Sequence, residues 1–229
     1  MFIDVFLPCR SSSERVKNKN IKKFSNKKFG LFELKIHQLI KIKKIENIIV
    51  STNDKKILNY LKVKKFKKVC IDKRSDRLSS SSTSTDELIK YVPNVVRSEH
   101  ILWTHVTSPF FDSKDYDKAI ELYKKNLKKN DSLMGVTKIQ DFIYDYNNPL
   151  NFNKKKEKWP KTQTLKKLFV VNNTIFITSR KNYISLNDRI GIKPYLFEIE
   201  KIKSFDVDWP EDFKIAESIY EKVYKKTQI

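Results

Sequence analysis

Glycine is nearly missing from this chain. There are three in 229 residues, and none stands in a GxxxxGKS or GxGxxG arrangement, so neither a P-loop nor a dinucleotide-binding turn is present. Cysteine is as scarce: Cys9 and Cys70 cannot staple a chain of this length, and both are expected to be reduced, small hydrophobes on strands. The three histidines, His37, His100 and His105, have no ligand spacing with the cysteines, which argues against zinc, and His37 is expected to pack on the apolar side of a helix. No GxSxG elbow marks a nucleophilic serine. No apolar run approaches the ~20 residues that a bilayer-spanning helix needs. The opening MFIDVFLPCR has no basic segment ahead of its apolar residues, so neither membrane insertion nor secretion is expected, and the cytoplasm is the expected compartment.

Negative charge is also in short supply. Against 27 Asp and Glu stand 48 Lys and Arg, a formal net charge of +21. Such a balance raises the question of nucleic acid, whose phosphates attract any basic surface. Yet 41 of the basic residues are Lys and 7 are Arg, whereas base-edge recognition favours the arginine fork. The lysines are scattered along the whole chain, as expected from a composition drifting toward Lys, Asn and Ile. Nucleic acid is therefore not the expected partner, although a basic binding module stays open; a small polyanion drawn into a concave site is the stronger expectation. Hydrophobic residues at 39% and aromatics at 12% are too plentiful for a disordered polypeptide.

The pattern of those apolar residues alternates between short buried runs and longer amphipathic ones, the mark of βαβ units. Strands are expected at Phe2 to Pro8, Asn47 to Ser51, Lys68 to Asp72, Ile101 to Val106, Ser132 to Thr137, Leu168 to Thr178 and Pro194 to Ile199. Helices are expected at Phe32 to Ile45, Lys55 to Leu61, after the Ser/Thr stretch 79–85, at Asp112 to Leu127 and from Pro210 to Tyr224. Between 140 and 167 the pattern lapses, as in an excursion from the main body. The expected fold is α/β, three layers with helices on both faces of a mostly parallel sheet of about seven strands, forming a single domain over 1–229. Ligands of such sheets bind beyond the carboxyl ends of the strands.

Two constellations stand at those ends. The loop after the first strand, from Arg10 to Asn20, combines small hydroxyl residues with Arg15, Lys17 and Lys19, a phosphate-binding chemistry. Further on, Asp206 and Asp208 flank Val207, and two carboxylates at i and i+2 at the end of a strand share a face suited to Mg²⁺. Glu211 and Asp212, just beyond, read as caps of the last helix.

Taken in order, the segments CRSSSERVKNKN, IIVSTND, RSDRLSSSSTST, THVTSPF, FVVNNTIFI and FDVDWPEDFKIAE make the chain resemble the acylneuraminate cytidylyltransferase family from about Asp4 to Ala216. The resemblance implies a Rossmann-like nucleotidyltransferase fold and an Mg²⁺-dependent transfer of CMP from CTP to the anomeric hydroxyl of a sialic-acid-type (nonulosonate) sugar, for glycan synthesis. It implies a homodimer as well, with 140–167 contributing to the contact. By position, Arg10, Ser13, Arg15, Lys19 and Asn20 correspond to the triphosphate loop, with Arg15, Lys19 and Asp208 as the catalytic set. Arg74, Ser82, Thr83 and Thr85 correspond to the cytosine and ribose pocket, Asp206 and Asp208 to the metal ligands, and His105, Gln163 and Asn172 to the sugar contacts.

Several positions depart from that pattern. Ser12 stands where the family usually has Gly, Glu14 where many members have Lys, and His105 in place of a Gln. Thr162 and Val170 occupy positions where sialic-acid enzymes carry arginines, one of which grips the sugar carboxylate, and Lys161 or Lys167 is the candidate replacement. A different acceptor on the same fold, or a nucleotide-binding homologue without activity, remain the alternatives.

Overall fold

A computed structural model describes residues 1–11 and 13–224; Ser12 lies outside the described residues. Seven strands form one sheet: β1 (Ile3–Cys9), β2 (Ile48–Thr52), β3 (Val69–Lys73), β4 (His100–Trp103), β5 (Ser132–Ile139), β6 (Leu168–Ser179) and β7 (Pro194–Glu198). Their order is β3-β2-β1-β4-β6-β5-β7, and every pairing is parallel except those of β6 with β4 and β5. The helices are α1 (Gly30–Leu39), α2 (Lys55–Lys64), α3 (Thr85–Val95), α4 (Ser113–Asn126), α5 (Arg180–Leu186) and α6 (Pro210–Ile219), the last continuing into a wider turn over Tyr220–Tyr224. Among the described residues no helix is long and apolar enough to cross a membrane.

The three expected layers follow from how β1 divides its side chains. Ile3, Val5, Leu7 and Cys9 pack on one face with α1, α2, α4 and α6, while Phe6 points to the other, against Ile49, Ile101, Trp103 and Phe176 under α3 and α5. Phe6 and Trp103 meet edge to face at 5.0 Å. Asp4, buried in the same strand, is satisfied by the backbone and side-chain amides of Asn47 at 3.0 and 3.1 Å. Cys9 is a buried hydrophobe as expected, its thiol pushed up to about 12 by burial. Cys70, on the edge strand β3, is exposed instead.

The helix starts are chemically explicit. Asp54 accepts from the amides of Lys56 and Ile57, and Ser84 with Glu87 and Asp112 with Asp115 form capping boxes. The first helix is shorter than its apolar spacing suggests. It stops at Leu39, with Ile42 and Ile45 still buried, because the amides of Lys43 and Lys44 bond to the Asp117 carboxylate on α4 rather than to carbonyls one turn back. Its entry depends on Gly30, whose φ is +64°; a β-carbon there would sit 2.2 Å from the Lys22 carbonyl oxygen. The seven-residue α5 escaped the sequence reading because Tyr183 is its one buried side chain, too little to show a period.

Within the layer of α1 and α4 lies one fully buried cation. Lys35 donates to the Phe111 carbonyl and the Tyr116 hydroxyl, both at 3.1 Å. Burial lowers its pKa to about 7 against the pull of Asp112, Asp115 and Asp206.

Candidate active site

In this sheet the chain order reverses between β1 and β4, and a crevice at such a point is where doubly wound folds hold their ligands. A cavity of about 230 Å³ opens there. The loop after β1 brings Arg10, Ser13, Arg15, Lys19 and Asn20 to it, the segment after β4 brings His105 and Thr107, and the far end of the chain contributes Asp208.

The post-β1 loop is held in shape by its own polar groups. Asn20 donates from its side chain to the Arg10 carbonyl at 3.0 Å, and its own carbonyl accepts from Phe32 on α1. The Arg10 guanidinium reaches across to the Ser80 carbonyl at 3.1 Å, tying this loop to the one after β3. Arg74, buried at the start of that second loop, donates to Ser79 Oγ at 3.1 Å. Ser82 bonds Ser80, Thr83 donates to the Arg77 carbonyl, and Thr85 opens α3. Arg10, which lines the cavity, is thus bonded to the loop after β3, whose Arg74, Ser82, Thr83 and Thr85 are not among the lining residues.

At the centre, two cations converge on one carboxylate. Arg15 Nη1 lies 3.6 Å and Lys19 Nζ 3.2 Å from the Asp208 oxygens, and Lys19 also donates to the Val207 carbonyl at 2.8 Å. Arg15 stacks over the Trp209 ring at 4.7 Å. The Arg15–Asp208 pair is about half exposed, 51% and 49%, so it adds little to stability, and its arrangement needs a different reason.

Asp206 and Asp208 do not end a strand, contrary to the sequence reading. β7 stops at Glu198, a turn follows, and 205–208 is an irregular connection pinned by the Val207 amide on the Thr107 carbonyl. Val207 is buried in this connection, and Asp206 and Asp208 stand on either side of it. Asp212 accepts from the amides of Asp208 and Trp209, the capping role expected of it. Asp206 Oδ1 is buried with no hydrogen-bond partner among the described residues, and the pKa of Asp206 is raised by burial and by the charge of Asp208, against Thr107, Lys19 and Asn173. An orphaned carboxylate oxygen two residues from a second carboxylate is a hard-oxygen donor set that fits Mg²⁺, which typically takes one or two carboxylates and fills its shell from phosphates and water.

The expected sugar contacts fare unequally. His105 is brought to the cavity. It accepts from Trp103 Nε1 at 2.8 Å through Nε2, which leaves Nδ1–H as its donor, and burial together with the Arg189 charge lowers its pKa to about 3. Asn172 has both ends of its amide committed to the protein, donating to the Ser204 carbonyl and accepting from the Thr174 amide. Gln163 stands exposed in a short 3₁₀ turn, where its backbone carbonyl, not its side chain, is engaged. Lys161 and Lys167 are exposed on the same segment. The sequence reading overlooked Asn173, Thr107 and Arg189. The available signal was arginine itself: in a chain that carries most of its charge on lysine, an arginine marks a place where a planar fork matters.

The crevice at the switch point of a mostly parallel sheet defines an α/β protein of doubly wound type. The fold agrees with that of CMP:2-keto-3-deoxy-manno-octonic acid synthetase complexed with CTP, at a TM-score of 0.68 and 13% identity over 97% of this chain and 99% of that one. The chain matches the family described as Cytidylyltransferase over residues 5–228, and it belongs to that family. An N-acylneuraminate cytidylyltransferase of Escherichia coli is 25% identical over 227 residues, 96% of this chain and 52% of that protein. The post-translational flagellin modification protein B of Campylobacter coli is 26% identical over 220 residues, 91% of this chain and 90% of that protein. The chain spans about half the length of the N-acylneuraminate cytidylyltransferases it matches.

Proposed function

We propose that this protein transfers CMP from CTP to the anomeric hydroxyl of an acidic, sialic-acid-type sugar, with release of pyrophosphate. The observation that carries the reading is the convergence of Arg15 and Lys19 on Asp208 at the crevice between β1 and β4. Two fixed cations beside a carboxylate suit a reaction in which a triphosphate must be neutralised and its pyrophosphate released.

In this reading Arg10, Ser13, Asn20 and the loop amides cradle the triphosphate, and Arg74 with Ser82, Thr83 and Thr85 holds the cytosine and ribose. Arg15 and Lys19 hold the β- and γ-phosphates as the sugar hydroxyl attacks the α-phosphorus in line. Their charge then stays with the departing pyrophosphate. Asp206 and Asp208 would hold the metal. Bound there, Mg²⁺ supplies charge neutralisation and lowers the pKa of the attacking hydroxyl. His105, neutral throughout the physiological range, offers Nδ1–H to the sugar without adding charge.

The excursion supports a homodimer. Its aromatics Phe142, Tyr144, Phe152 and Trp159 pack edge to face on one another, while Tyr146, Leu150 and Trp159 stay largely exposed. Glycan synthesis in the cytoplasm is the setting in which CTP and such a sugar would meet. The test is pyrophosphate release from CTP and Mg²⁺ with N-acetylneuraminate and related sugar acids. Release that depends on both CTP and the acid is expected, and none above the acceptor-free control would overturn the reading.

A further inference from the structure

Arg189 lies after α5, where Asn187 in a left-handed conformation turns the chain back toward the carboxyl edge of β4. Its guanidinium is stacked 3.9 Å from the centre of the Phe176 ring and 5.1 Å from that of Trp103, a seat that fixes the plane of the fork. One amide oxygen, Asn173 Oδ1 at 3.4 Å, accepts from it, and among the described residues no carboxylate forms an ion pair with it. A half-buried guanidinium with most of its donors unspent is incomplete without an anion.

Its surroundings say where that anion would sit. Arg189 is the strongest charge acting on His105, which lines the cavity, and Asn173 also bonds the carboxylate of Asp206. The fork is thus linked through a single amide side chain to the end of the crevice assigned to the reacting hydroxyl. In a 2-keto sugar acid the carboxyl carbon is bonded directly to the anomeric carbon, so an anchor for the carboxylate must lie beside the attacking hydroxyl. Lys161 and Lys167, the replacements suggested by sequence, stand exposed on the excursion and offer no rigid fork.

We propose that Arg189 is the specificity-determining residue that binds the acceptor's carboxylate, with Asn173 orienting its fork and His105 donating alongside. The proposal rests on the acidic-sugar reading above. It is tested with N-acetylneuraminate and 3-deoxy-octulosonate, each compared with its C1 methyl ester, in the full chain with CTP and Mg²⁺. The wild type should favour the acids. Arg189→Met should lower kcat/KM for the acids by about 50-fold, the scale of a lost charge-assisted pair, and leave the esters unchanged. Arg189→Lys, which keeps the charge without the fork, should fall between, and the CTP-induced thermal shift should be the same in all three. A wild type that treats acid and ester alike, or an Arg189→Met variant with an unchanged acid-to-ester ratio, would overturn the anchor while leaving cytidylyl transfer standing. Absence of turnover with any sugar acid would overturn the acceptor reading itself, and the anchor with it.

Discussion

The two halves of the crevice are built in opposite ways. On the side proposed for the nucleotide the polar groups are tied to one another: Asn20 to Arg10, Arg10 to Ser80, Arg74 to Ser79. They sit on the loops after β1 and β3, which with β2 between them form a parallel run whose pairings have no break. On the side proposed for the acceptor the support is the antiparallel β6, the irregular 140–167 segment and the short α5, and the register of β5 against β6 shifts between Met134 and Val136. There Asn172 is used up in packing, Gln163 faces solvent, and Arg189 has no ion-pair partner among the described residues. A preorganised wall suits a ligand that does not vary, and a side assembled from separate segments suits one that does.

Four substitutions sharpen or break that contrast. The largest effect is expected from Asp208→Asn, which removes the proposed metal ligand and the partner of Arg15 and Lys19. Turnover should fall by about 1,000-fold or more while far-UV circular dichroism and Tm stay near wild type, since the pair is half exposed. Near-normal turnover would remove Asp208 from the centre. Next comes Gly30→Ala. With φ positive and a carbonyl at 2.2 Å, it should cost about 3 kcal/mol or more in denaturant unfolding, because the end of the nucleotide loop cannot close onto α1.

Smaller still is the effect of the buried amine. An unfolded lysine titrates near 10.5 and Lys35 near 7, so the unfolded chain binds the extra proton between those values. Stability should therefore rise with pH across that window, by at most about 1.4 kcal/mol per pH unit. Lys35→Met should remove that part of the slope in urea titrations; an unchanged slope would mean that Lys35 is not the group responsible. Last, if Arg74 holds the base as proposed, Arg74→Ala should raise KM for CTP about tenfold with little change in kcat. An unchanged KM would take Arg74 out of the nucleotide side.

The same contrast explains what could be read from the sequence. The strands are local signals, and the structure has them within two or three residues of the expected places. The loop from Arg10 to Asn20 was legible because it follows directly on a buried strand. What escaped depended on distant segments. Asp117 stops α1 early from 74 residues away, and Thr107 pins the Asp206 to Asp208 connection from 100 residues before it. Arg189 has a meaning only beside Trp103 and Phe176, which no local spacing reveals.

Nucleotide selectivity tests the central claim most directly, because it needs no knowledge of the acceptor. A ligand that binds the folded state raises Tm by mass action. With saturating CTP and Mg²⁺ the wild type should gain about 5 °C, more than with UTP, ATP or GTP, and the Mg²⁺-dependent part should vanish in Asp208→Asn. Equal shifts with all four nucleotides, or none with CTP, would contradict the assignment of this crevice to cytidine triphosphate.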